Sequence, residues 1–529
     1  MIKEIHKVLI GGEWREPRGS AGSFAAVDPT TGNPLSGLYP VSCFADLEEA
    51  LKAARRVASD LRSFGPDGLA RFLDLFAAAA ETRREELVTM AHRETALPEE
   101  PRLRSTEFPR FANQLRQAAA ASRERSWCRA TIDTKLNLRS KYGPLGGPVI
   151  VFSPNNFPFA FNAVGGGDFA AALAAGNPVI AKANPGHPGT TRLLTEAAFQ
   201  ALHASGLPRA LVQMVYHFEA RDGLRLVSHP LTGATAFTGS RPSGLGLKEA
   251  ADKAGKPISL ELSSVNPVFV LPGALAERGG EIAAELGGSC TLGSGQFCTK
   301  PGMVVLIDDE NDRSFLEAMK RAFEGQPTGY LLGEHVLAGM QKSVDALLRA
   351  RASLVAGGRA LEGPGFRFAN TLFRTTGRLF LSAPEAFEVE VFGAFSVIVL
   401  VESFDEMKEV AARLEGNLTA AVYSARSGED DALYDRLEPG LRAKVGRLLN
   451  DKMPTGVAVS PAMVHGGPFP AAGHPGFTSV GIPASLIRFA ALHGYDNVRP
   501  HRLPPELRDE NPTGRMWRLV DGEWTQRSI

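Results

Sequence analysis

Short apolar runs rich in β-branched residues alternate with longer alanine-rich segments from residue 147 to residue 262. The apolar runs predict strands at residues 148–152, 178–182, 211–215 and 234–237. The segments between them predict helices at residues 160–175 and 189–205, each followed by a glycine, and a further helix after Ser240. Because strands and helices alternate, we expect βαβ units and a parallel sheet that binds its ligand beyond the carboxyl ends of its strands.

A second α/β region begins near Val268. Its apolar runs predict strands at residues 268–271, 303–307 and 397–401, and residues 333–350 predict a helix. Two segments fit neither region: residues 130–142 are polar and strand-like, and the tail after Phe489 contains prolines that exclude a long helix. Arms or subunit contacts would explain both segments, and so would a peripheral hairpin and a loose terminus. The sequence therefore predicts two layered α/β domains with a cleft at their junction.

The composition is that of a globular protein without a strong charge bias. The 529 residues are 44% hydrophobic and 22% charged, and 58 Lys and Arg balance 58 Asp and Glu. This balance gives no electrostatic reason to expect nucleic acid or an anionic membrane as a partner. The first residues lack the apolar core of a signal peptide, and no apolar run is long enough to span a bilayer. We expect a soluble, cytoplasmic protein.

Cysteine usage points to one candidate nucleophile. The chain has 4 cysteines and no Cys-x-x-Cys pair, which argues against a disulfide framework and predicts no metal site. Cys298 lies in a glycine-rich stretch, residues 293–302, and Glu261 closes the first predicted domain. A thiol beside exposed backbone amides suits nucleophilic attack, with the glutamate as general base, although a small buried hydrophobe is an equally common role. We interpret Cys43, Cys128 and Cys290 as structural.

Four short motifs follow one another along the chain. They are Ser153-Pro154-Asn155-Asn156-Phe157-Pro158, Phe237-Thr238-Gly239-Ser240, Glu261-Leu262-Ser263-Ser264 and Gly295-Gln296-Phe297-Cys298. Together they resemble the aldehyde dehydrogenase superfamily, and the resemblance extends from Gly11 to about Arg488. It implies an α/β fold with a Rossmann-like cofactor domain (residues 1–129 and 143–263) and a catalytic domain (264–460). Residues 130–142 and 461–529 would form a small β oligomerisation arm and a C-terminal extension.

Three further stretches resemble a subgroup of that superfamily. They are residues 266–272, 295–302 and 462–470. The subgroup contains 2,5-dioxovalerate (α-ketoglutarate semialdehyde) dehydrogenases and NADP-dependent fatty aldehyde dehydrogenases. This chain departs from the subgroup's pattern at Asn155, where a small residue is expected, at residues 472–478, and in its longer tail. The resemblance therefore implies oxidation of a semialdehyde, with a medium- or long-chain aldehyde as the alternative substrate.

The resemblance assigns the reacting groups. Cys298 attacks the aldehyde carbon, Asn156 and the Cys298 amide stabilise the resulting oxyanion, and Glu261 activates the water that releases the acid. Outside this context Asn156 would be a loop asparagine that holds a turn, and Glu261 a strand-end glutamate in a surface pair. A CoA-acylating enzyme is disfavoured because Glu261 is present to activate water. From a different functional class, a catalytically silent cofactor-binding scaffold is the remaining alternative.

The resemblance also implies a nicotinamide cofactor, because no side chain can accept a hydride. Its predicted contacts are Ser153, Pro154, Asn155, Lys182, Asn184, Pro185, Gly239, Ser240, Gly244, Glu390 and Phe392. Pro185 occupies the position at which many NAD-dependent relatives carry a glutamate that repels a 2′-phosphate, so we expect NADP, with NAD as the alternative. Arg221 and His187 are further candidates for a contact with that phosphate. The superfamily implies a homodimer or homotetramer.

Overall fold

The computed structural model describes residues 5–308 and 312–529. The strands are β1 (Val8–Ile10), β2 (Glu13–Arg15), β3 (Ser20–Phe24), β4 (Tyr39–Ser42), β5 (Thr131–Asp133), β6 (Leu138–Pro144), β7 (Val149–Phe152), β8 (Val179–Lys182), β9 (Val212–Val215), β10 (Ala234–Thr238), β11 (Ile258–Glu261), β12 (Val268–Val270), β13 (Met303–Ile307), β14 (Ser353–Ala356), β15 (Thr371–Thr376), β16 (Phe395–Val401), β17 (Asn417–Tyr423), β18 (Val445–Asn450), β19 (Ala490–Asp496), β20 (Arg518–Val520) and β21 (Glu523–Thr525).

The helices are α1 (Phe44–Asp60), α2 (Gly65–Thr82), α3 (Arg84–Thr95), α4 (Phe108–Glu124), α5 (Gly167–Ala174), α6 (Pro188–Ser205), α7 (Ala220–Val227), α8 (Arg241–Lys253), α9 (Pro272–Thr291), α10 (Asp312–Gly325), α11 (Glu334–Arg349), α12 (Gly377–Ser382), α13 (Pro384–Phe387), α14 (Phe404–Arg413) and α15 (Asp431–Arg442). Within the described residues, none of these helices has the length and apolarity that a membrane crossing requires.

The first domain is built on a 7-stranded sheet with the order β11-β10-β7-β8-β9-β1-β2. Strands β7 to β11 are parallel, and β1 joins β9 in the antiparallel direction. The register pairs Phe152 with Lys182 and Thr238 with Glu261. Because these residues end their strands, the segments that follow them meet at one edge of the sheet, where such folds bind ligands. The strands predicted in this region are confirmed.

The second domain contains another 7-stranded sheet, with the order β14-β15-β16-β13-β12-β17-β18. All neighbouring pairs are parallel except β14 and β15. Apolar side chains cover both of its faces and form two hydrophobic clusters, as expected for a parallel sheet. The loop that carries Cys298 precedes β13, so the thiol lies at the edge where the strands of this sheet begin.

A third sheet joins the two segments that fitted neither domain. Its order is β19-β6-β5-β20-β21, and β19 pairs with β6 over seven residue pairs from Ala490↔Pro144 to Asp496↔Leu138. The predicted arm and the C-terminal tail therefore form one structural unit. Residues 461–489, which were predicted to belong to this unit, do not: Leu262 N donates to Ala471 O, and Gly473 N donates to Leu260 O. They form backbone hydrogen bonds with the end of β11 and lie over the domain junction.

One helix is shorter than predicted. Residues 160–175 were predicted to be helical, but α5 begins only at Gly167. Gly165 has a φ of 94°, which lies in the left-handed region, and Gly166 is extended as the residue before the helix. A Cβ at Gly165 would lie 2.3 Å from the Phe111 ring. The glycines therefore form a tight, buried turn that alanine-rich composition alone does not reveal.

Candidate active site

Cys298 lies on the loop between α9 and β13. Three successive residues of this loop, Gly293, Ser294 and Gly295, have φ values of 56°, 57° and 70°, in the region that favours glycine. A Cβ at Gly295 would lie 2.1 Å from the Gly393 carbonyl oxygen. The glycines thus allow a tight turn and a close backbone contact just before the thiol.

Asn266, which lies two residues before β12, holds the same loop. Its Nδ2 donates to the carbonyl oxygens of Cys298 at 2.8 Å and Lys300 at 3.0 Å. Its Oδ1 accepts a hydrogen bond from Thr419 Oγ1 at 3.0 Å, and the residue is fully buried. Asn266 therefore positions the thiol, a role that the sequence did not indicate although its motif was recognised.

Glu261 is the last residue of β11 and is buried at the domain junction. Its Oε1 lies 2.7 Å from His465 Nε2, and its Oε2 accepts a hydrogen bond from Ser479 Oγ at 2.7 Å. The carboxylate is therefore fixed by two partners from the segment that covers the junction.

His465 contacts Cys298, and the sequence alone did not assign this histidine to the site. The same Nε2 that meets Glu261 lies 3.4 Å from Cys298 Sγ. The backbone of His465 is held in place, because its N–H donates to Thr478 Oγ1 at 2.8 Å and its carbonyl accepts from Ser479 N at 2.8 Å. The signal was present: His465 stands in the 462–470 motif, and an imidazole is the commonest activator of a thiol nucleophile.

The surroundings of Cys298 keep its thiol protonated at rest. Burial raises the pKa of the Cys298 thiol well above its ordinary value, and the charges of Glu261 and Glu390 raise it further against the effect of Arg110. Since the thiolate is the reactive form, the proton has to move to a neighbouring base during the reaction. His465 and Glu261 are the titratable groups in direct contact with Cys298 Sγ.

The pKa of Glu261 shifts in the opposite direction. Burial alone would raise the pKa of this carboxyl, but the charge and hydrogen bond of His465, the hydroxyl of Ser479 and the charge of Arg488 outweigh burial and lower it. Glu261 is therefore ionised at neutral pH and is available as a base. An apolar pocket that raises its pKa, which would also suit a general base, is not what this fold provides.

Asn156 lies beside the thiol loop and is buried. Its Nδ2 donates to the Gln296 carbonyl oxygen at 3.0 Å, and both Asn156 and Cys298 line the same cavity. A carboxamide nitrogen carries two N–H donors. One of them holds the loop, so the other remains for an oxygen atom bonded to the substrate carbon.

Glu261, Cys298 and His465 also have the composition of a metal site. A potential ligand atom from each lies within 4.8 Å of the others, and no other such grouping occurs among residues 5–308 and 312–529. The absence of a metal site stays a prediction, since the same three groups can also serve in nucleophilic attack and proton transfer.

A cavity of about 940 Å³ extends from Cys298 along the carboxyl edge of the first sheet. This volume is large enough for a dinucleotide. Nearly all of the predicted cofactor contacts line it: Ser153, Pro154, Asn155, Lys182, Asn184, Pro185, Gly239, Ser240, Glu390 and Phe392. The buried Ser153 hydroxyl has no hydrogen-bond partner within the described residues. The cavity therefore fits a polar, elongated cofactor whose reactive end reaches the thiol.

Charged groups stand at two places along this cavity. Burial lowers the pKa of Lys182, at the end of β8, to about 8, so an anionic or hydroxyl-bearing ligand would stabilise its charged form. Burial raises the pKa of Glu390 to about 7, against the effects of a hydrogen bond with Ser263 and the charge of Lys300. A half-protonated carboxyl can both donate and accept hydrogen bonds with a sugar hydroxyl.

The glycines before and within α8 serve mainly packing. Gly239 N donates to the Glu261 carbonyl oxygen at 3.1 Å, so this amide is committed to the sheet and cannot bind a phosphate. Gly244 does not line the cavity; a Cβ there would lie 2.4 Å from Leu262 Cδ2. These residues bring the amino end of α8, which follows Ser240, close to the cavity.

Three residues that the sequence suggested as cofactor contacts have other partners in the structure. Asn184 Nδ2 donates to the Ser153 carbonyl oxygen at 2.9 Å, which holds the cavity wall. His187 is fully buried, with Nε2 2.9 Å from the Pro154 carbonyl oxygen. Arg221 is exposed and pairs with Glu219 at 2.8 Å. Neither His187 nor Arg221 lines the cavity, so neither is placed to contact a cofactor phosphate.

Comparison with known proteins defines the class. Residues 14–445 match the Aldehyde dehydrogenase family, and this chain belongs to that family. The predicted family and the predicted α/β fold are therefore confirmed.

Full-length relatives are more specific. The chain is 37% identical over 529 residues to alpha-ketoglutaric semialdehyde dehydrogenase 2 of Azospirillum brasilense, covering 98% of this chain and 99% of the relative. It is 35% identical over 518 residues to alpha-ketoglutaric semialdehyde dehydrogenase of Acinetobacter baylyi, covering 96% and 97%. The crystal structure of gamma-glutamyl-gamma-aminobutyraldehyde dehydrogenase from Burkholderia cenocepacia superposes with a TM-score of 0.79 at 23% identity, covering 93% of this chain and 97% of that one.

Proposed function

We propose that this protein oxidises 2,5-dioxopentanoate (α-ketoglutarate semialdehyde) to its dicarboxylic acid with reduction of NADP or NAD. The observation that carries the proposal is the contact of Cys298 with His465 and Glu261 at the end of a dinucleotide-sized cavity. The names of two full-length relatives support the choice of substrate.

The first step is attack by the thiol. As Cys298 Sγ approaches the aldehyde carbon, its proton passes to the Glu261–His465 pair and a thiohemiacetal forms. The imidazole stands beside both sulfur and carboxylate, so a proton taken up by the pair stays within hydrogen-bonding distance. Transfer to this pair offsets the high pKa of the buried thiol.

The second step converts the thiohemiacetal to the Cys298 thioester, and it starts from the negative charge that attack by the thiol leaves on the substrate oxygen. The free N–H of the Asn156 side chain and the backbone N–H of Cys298 are the proposed donors to it. A donor of this kind contributes ~3 kcal/mol of transition-state stabilisation. When bound in the cavity, the nicotinamide ring supplies the acceptor for the hydride that leaves as the oxyanion collapses.

The third step releases the acid from the Cys298 thioester. Once the proton taken from Cys298 has left the pair for solvent, Glu261 is ionised again and can take a proton from a water molecule that attacks the thioester carbon. The C–S bond then breaks, and the proton held by the pair returns to the Cys298 thiolate. Since a fixed base for water stands next to the sulfur, hydrolysis is favoured over transfer of the acyl group to coenzyme A.

The aldehyde preference is the test of this function. We expect kcat/KM for 2,5-dioxopentanoate to exceed that for pentanal and decanal by at least ~100-fold, measured by NAD(P)H absorbance. A preference for decanal would favour the fatty aldehyde alternative. Cofactor binding without turnover of any aldehyde would favour the scaffold.

The same assay, run with NADP and NAD in parallel, tests the cofactor. Pro185 lines the cavity and carries no charge to repel a 2′-phosphate, so we expect NADP to be the better cofactor. The variant Pro185→Glu should reduce the NADP/NAD ratio of kcat/KM by ~10-fold or more, since a carboxylate beside a phosphate is repulsive. An unchanged ratio would place the 2′-phosphate elsewhere.

We further propose that the third sheet mediates assembly into a homodimer or homotetramer. Large apolar side chains are exposed on or beside it: Leu136, Leu138, Leu492, Trp517 and Trp524. Such a patch is typical of a protein interface. Light scattering should give a mass of two or four chains, and a monomer would contradict the proposal. A cytoplasmic location also remains a proposal.

A further inference from the structure

The side chain of Arg110 is a buried cation with unused hydrogen-bonding capacity. It lies in the first turn of α4, and within the described residues its Nε and Nη2 are buried without a hydrogen-bond partner. An unpartnered guanidinium nitrogen is costly to bury. Such a group is expected where a ligand supplies the missing acceptor.

Arg110 lies near the reacting groups but outside the cofactor cavity. Its guanidinium lies 5.1 Å from the ring centre of Phe161 and 5.6 Å from that of Phe157. Phe157 directly follows Asn156, and the Phe161 ring centre lies 5.8 Å from that of His465. Arg110, Phe157 and Phe161 do not line the cofactor cavity, whereas Cys298 and Asn156 do. Phe157 and Phe161 therefore link Arg110 to Asn156 and His465 outside the cofactor cavity.

Glu107, the carboxylate whose charge acts most strongly on Arg110, has other partners. Glu107 Oε2 pairs with Arg102, and Glu107 Oε1 accepts the backbone N–H groups of Phe159 at 2.8 Å and Ala160 at 2.9 Å. Burial lowers the pKa of Arg110, while the charge of Glu107 opposes this shift. An arginine side chain nonetheless stays protonated at neutral pH. Arg110 thus keeps a positive charge that Glu107 does not contact directly.

Other arginines near the site are already engaged. Arg102 donates to the Asn156 carbonyl oxygen at 3.0 Å, and Arg488 pairs with Asp168 at 2.6 Å. Arg447 donates through Nη2 to the carbonyl oxygen of Pro454 at 2.9 Å. Arg110 differs from them because two of its nitrogens have no acceptor.

We infer that Arg110 binds the carboxylate of an ω-oxo acid whose aldehyde end reaches Cys298. This inference rests on the proposed function and names the substrate class and the residue that selects it. A guanidinium binds a carboxylate through two parallel N–H···O bonds, and the surrounding phenylalanine rings exclude water and strengthen the pair. An unsubstituted alkanal would leave the guanidinium unpartnered, so Arg110 also disfavours fatty aldehydes.

The variant Arg110→Gln tests this subsite. We expect kcat/KM for 2,5-dioxopentanoate to fall ~100-fold, mainly through a higher KM. Truncating one partner of a buried charge pair weakens binding of the substrate and of the transition state alike. The value for pentanal should fall by less than ~fivefold. Arg110→Lys retains the positive charge but cannot form two parallel hydrogen bonds with a carboxylate. Its kcat/KM for 2,5-dioxopentanoate should lie between those of the wild-type protein and Arg110→Gln. Arg116→Gln makes the same change on the exposed face of α4, where Arg116 pairs with Glu81, and should alter neither substrate.

Two results would overturn the inference without touching the proposed function. One is a wild-type preference for 2,5-dioxopentanoate that Arg110→Gln leaves unchanged. The other comes from inhibition of the wild-type protein. We expect glutarate to inhibit pentanal oxidation competitively and its neutral analogue glutaramide to inhibit it at least ~10-fold more weakly. Equal inhibition by the two compounds would exclude a cationic subsite. Failure of the proposed function would instead appear as no oxidation of either aldehyde by the wild-type protein.

Discussion

The Cys298→Ala variant is expected to lose at least ~10⁴-fold in kcat for aldehyde oxidation, because removing a covalent nucleophile removes the whole reaction path. Cofactor affinity should stay within ~threefold, since Cys298 occupies only the end of a cavity lined by many other residues. Aldehyde-dependent absorbance of reduced cofactor measures the first quantity, and fluorescence titration with NADP and NAD measures the second.

The Cys43→Ala variant is the matched control. Cys43 is half-buried at the start of α1, far along the chain from the site, and its thiol has no role in the proposed chemistry. This variant should turn over normally. Ordinary turnover by Cys298→Ala would exclude the thiol as nucleophile, whereas loss of cofactor binding would show that the substitution disturbs the cavity itself.

The Glu261→Gln variant should separate acylation from hydrolysis. We expect a burst of about one equivalent of reduced cofactor per active site, followed by steady turnover reduced ~10²–10³-fold, because the thioester forms but lacks a base to activate water. Glu261 also raises the pKa of the Cys298 thiol. A neutral glutamine should lower that pKa, so the burst rate should reach its plateau at lower pH than in the wild-type protein. Rapid-mixing measurements across pH test both parts. A burst followed by undiminished steady turnover would remove Glu261 from the hydrolytic step, and the absence of a burst would show that attack by the thiol has become rate-limiting.

The His465→Gln variant tests whether His465 sets the pKa of Glu261. His465 holds the pKa of Glu261 below its ordinary value, so its removal should raise that pKa. The base acts in its ionised form, and activity is lost as the pH falls through its pKa. The acid limb of steady-state turnover should therefore move to higher pH. A limb that stays in place would show that His465 does not set the ionisation of Glu261.

The sequence anticipated most of the fold and part of the site. Regular apolar runs predicted the parallel strands from β7 to β10, because strands covered on both faces are continuously apolar. The helix predicted at residues 160–175 begins later, since Gly165 and Gly166 form a turn against Phe111 that only packing reveals. Cys298 and Glu261 were identified as a pair because their motifs carry recognisable chemistry in a short stretch of residues.

His465 and Arg110 were not assigned, for a different reason. His465 is 204 residues from Glu261 along the chain, yet its Nε2 lies 2.7 Å from that carboxylate. Arg110 belongs to a helix that precedes all four recognised motifs. Nothing in its local sequence distinguishes it from an arginine on the exposed face of a helix. The local sequence pattern predicts how a segment folds. Whether a buried side chain finds hydrogen-bond partners depends on all the segments that pack against it.

The sequence by itself determined the family, the two-domain α/β architecture and the thiol with its glutamate, because these depend on periodicity and on short motifs. Only the tertiary structure decided that residues 461–489 cover the domain junction and supply His465. It also decided that Asn266 holds the Cys298 loop and that, among the described residues, two buried nitrogens of Arg110 have no acceptor. Contacts between residues far apart along the chain set the ionisation of Glu261 and Cys298, since burial and charge act through space.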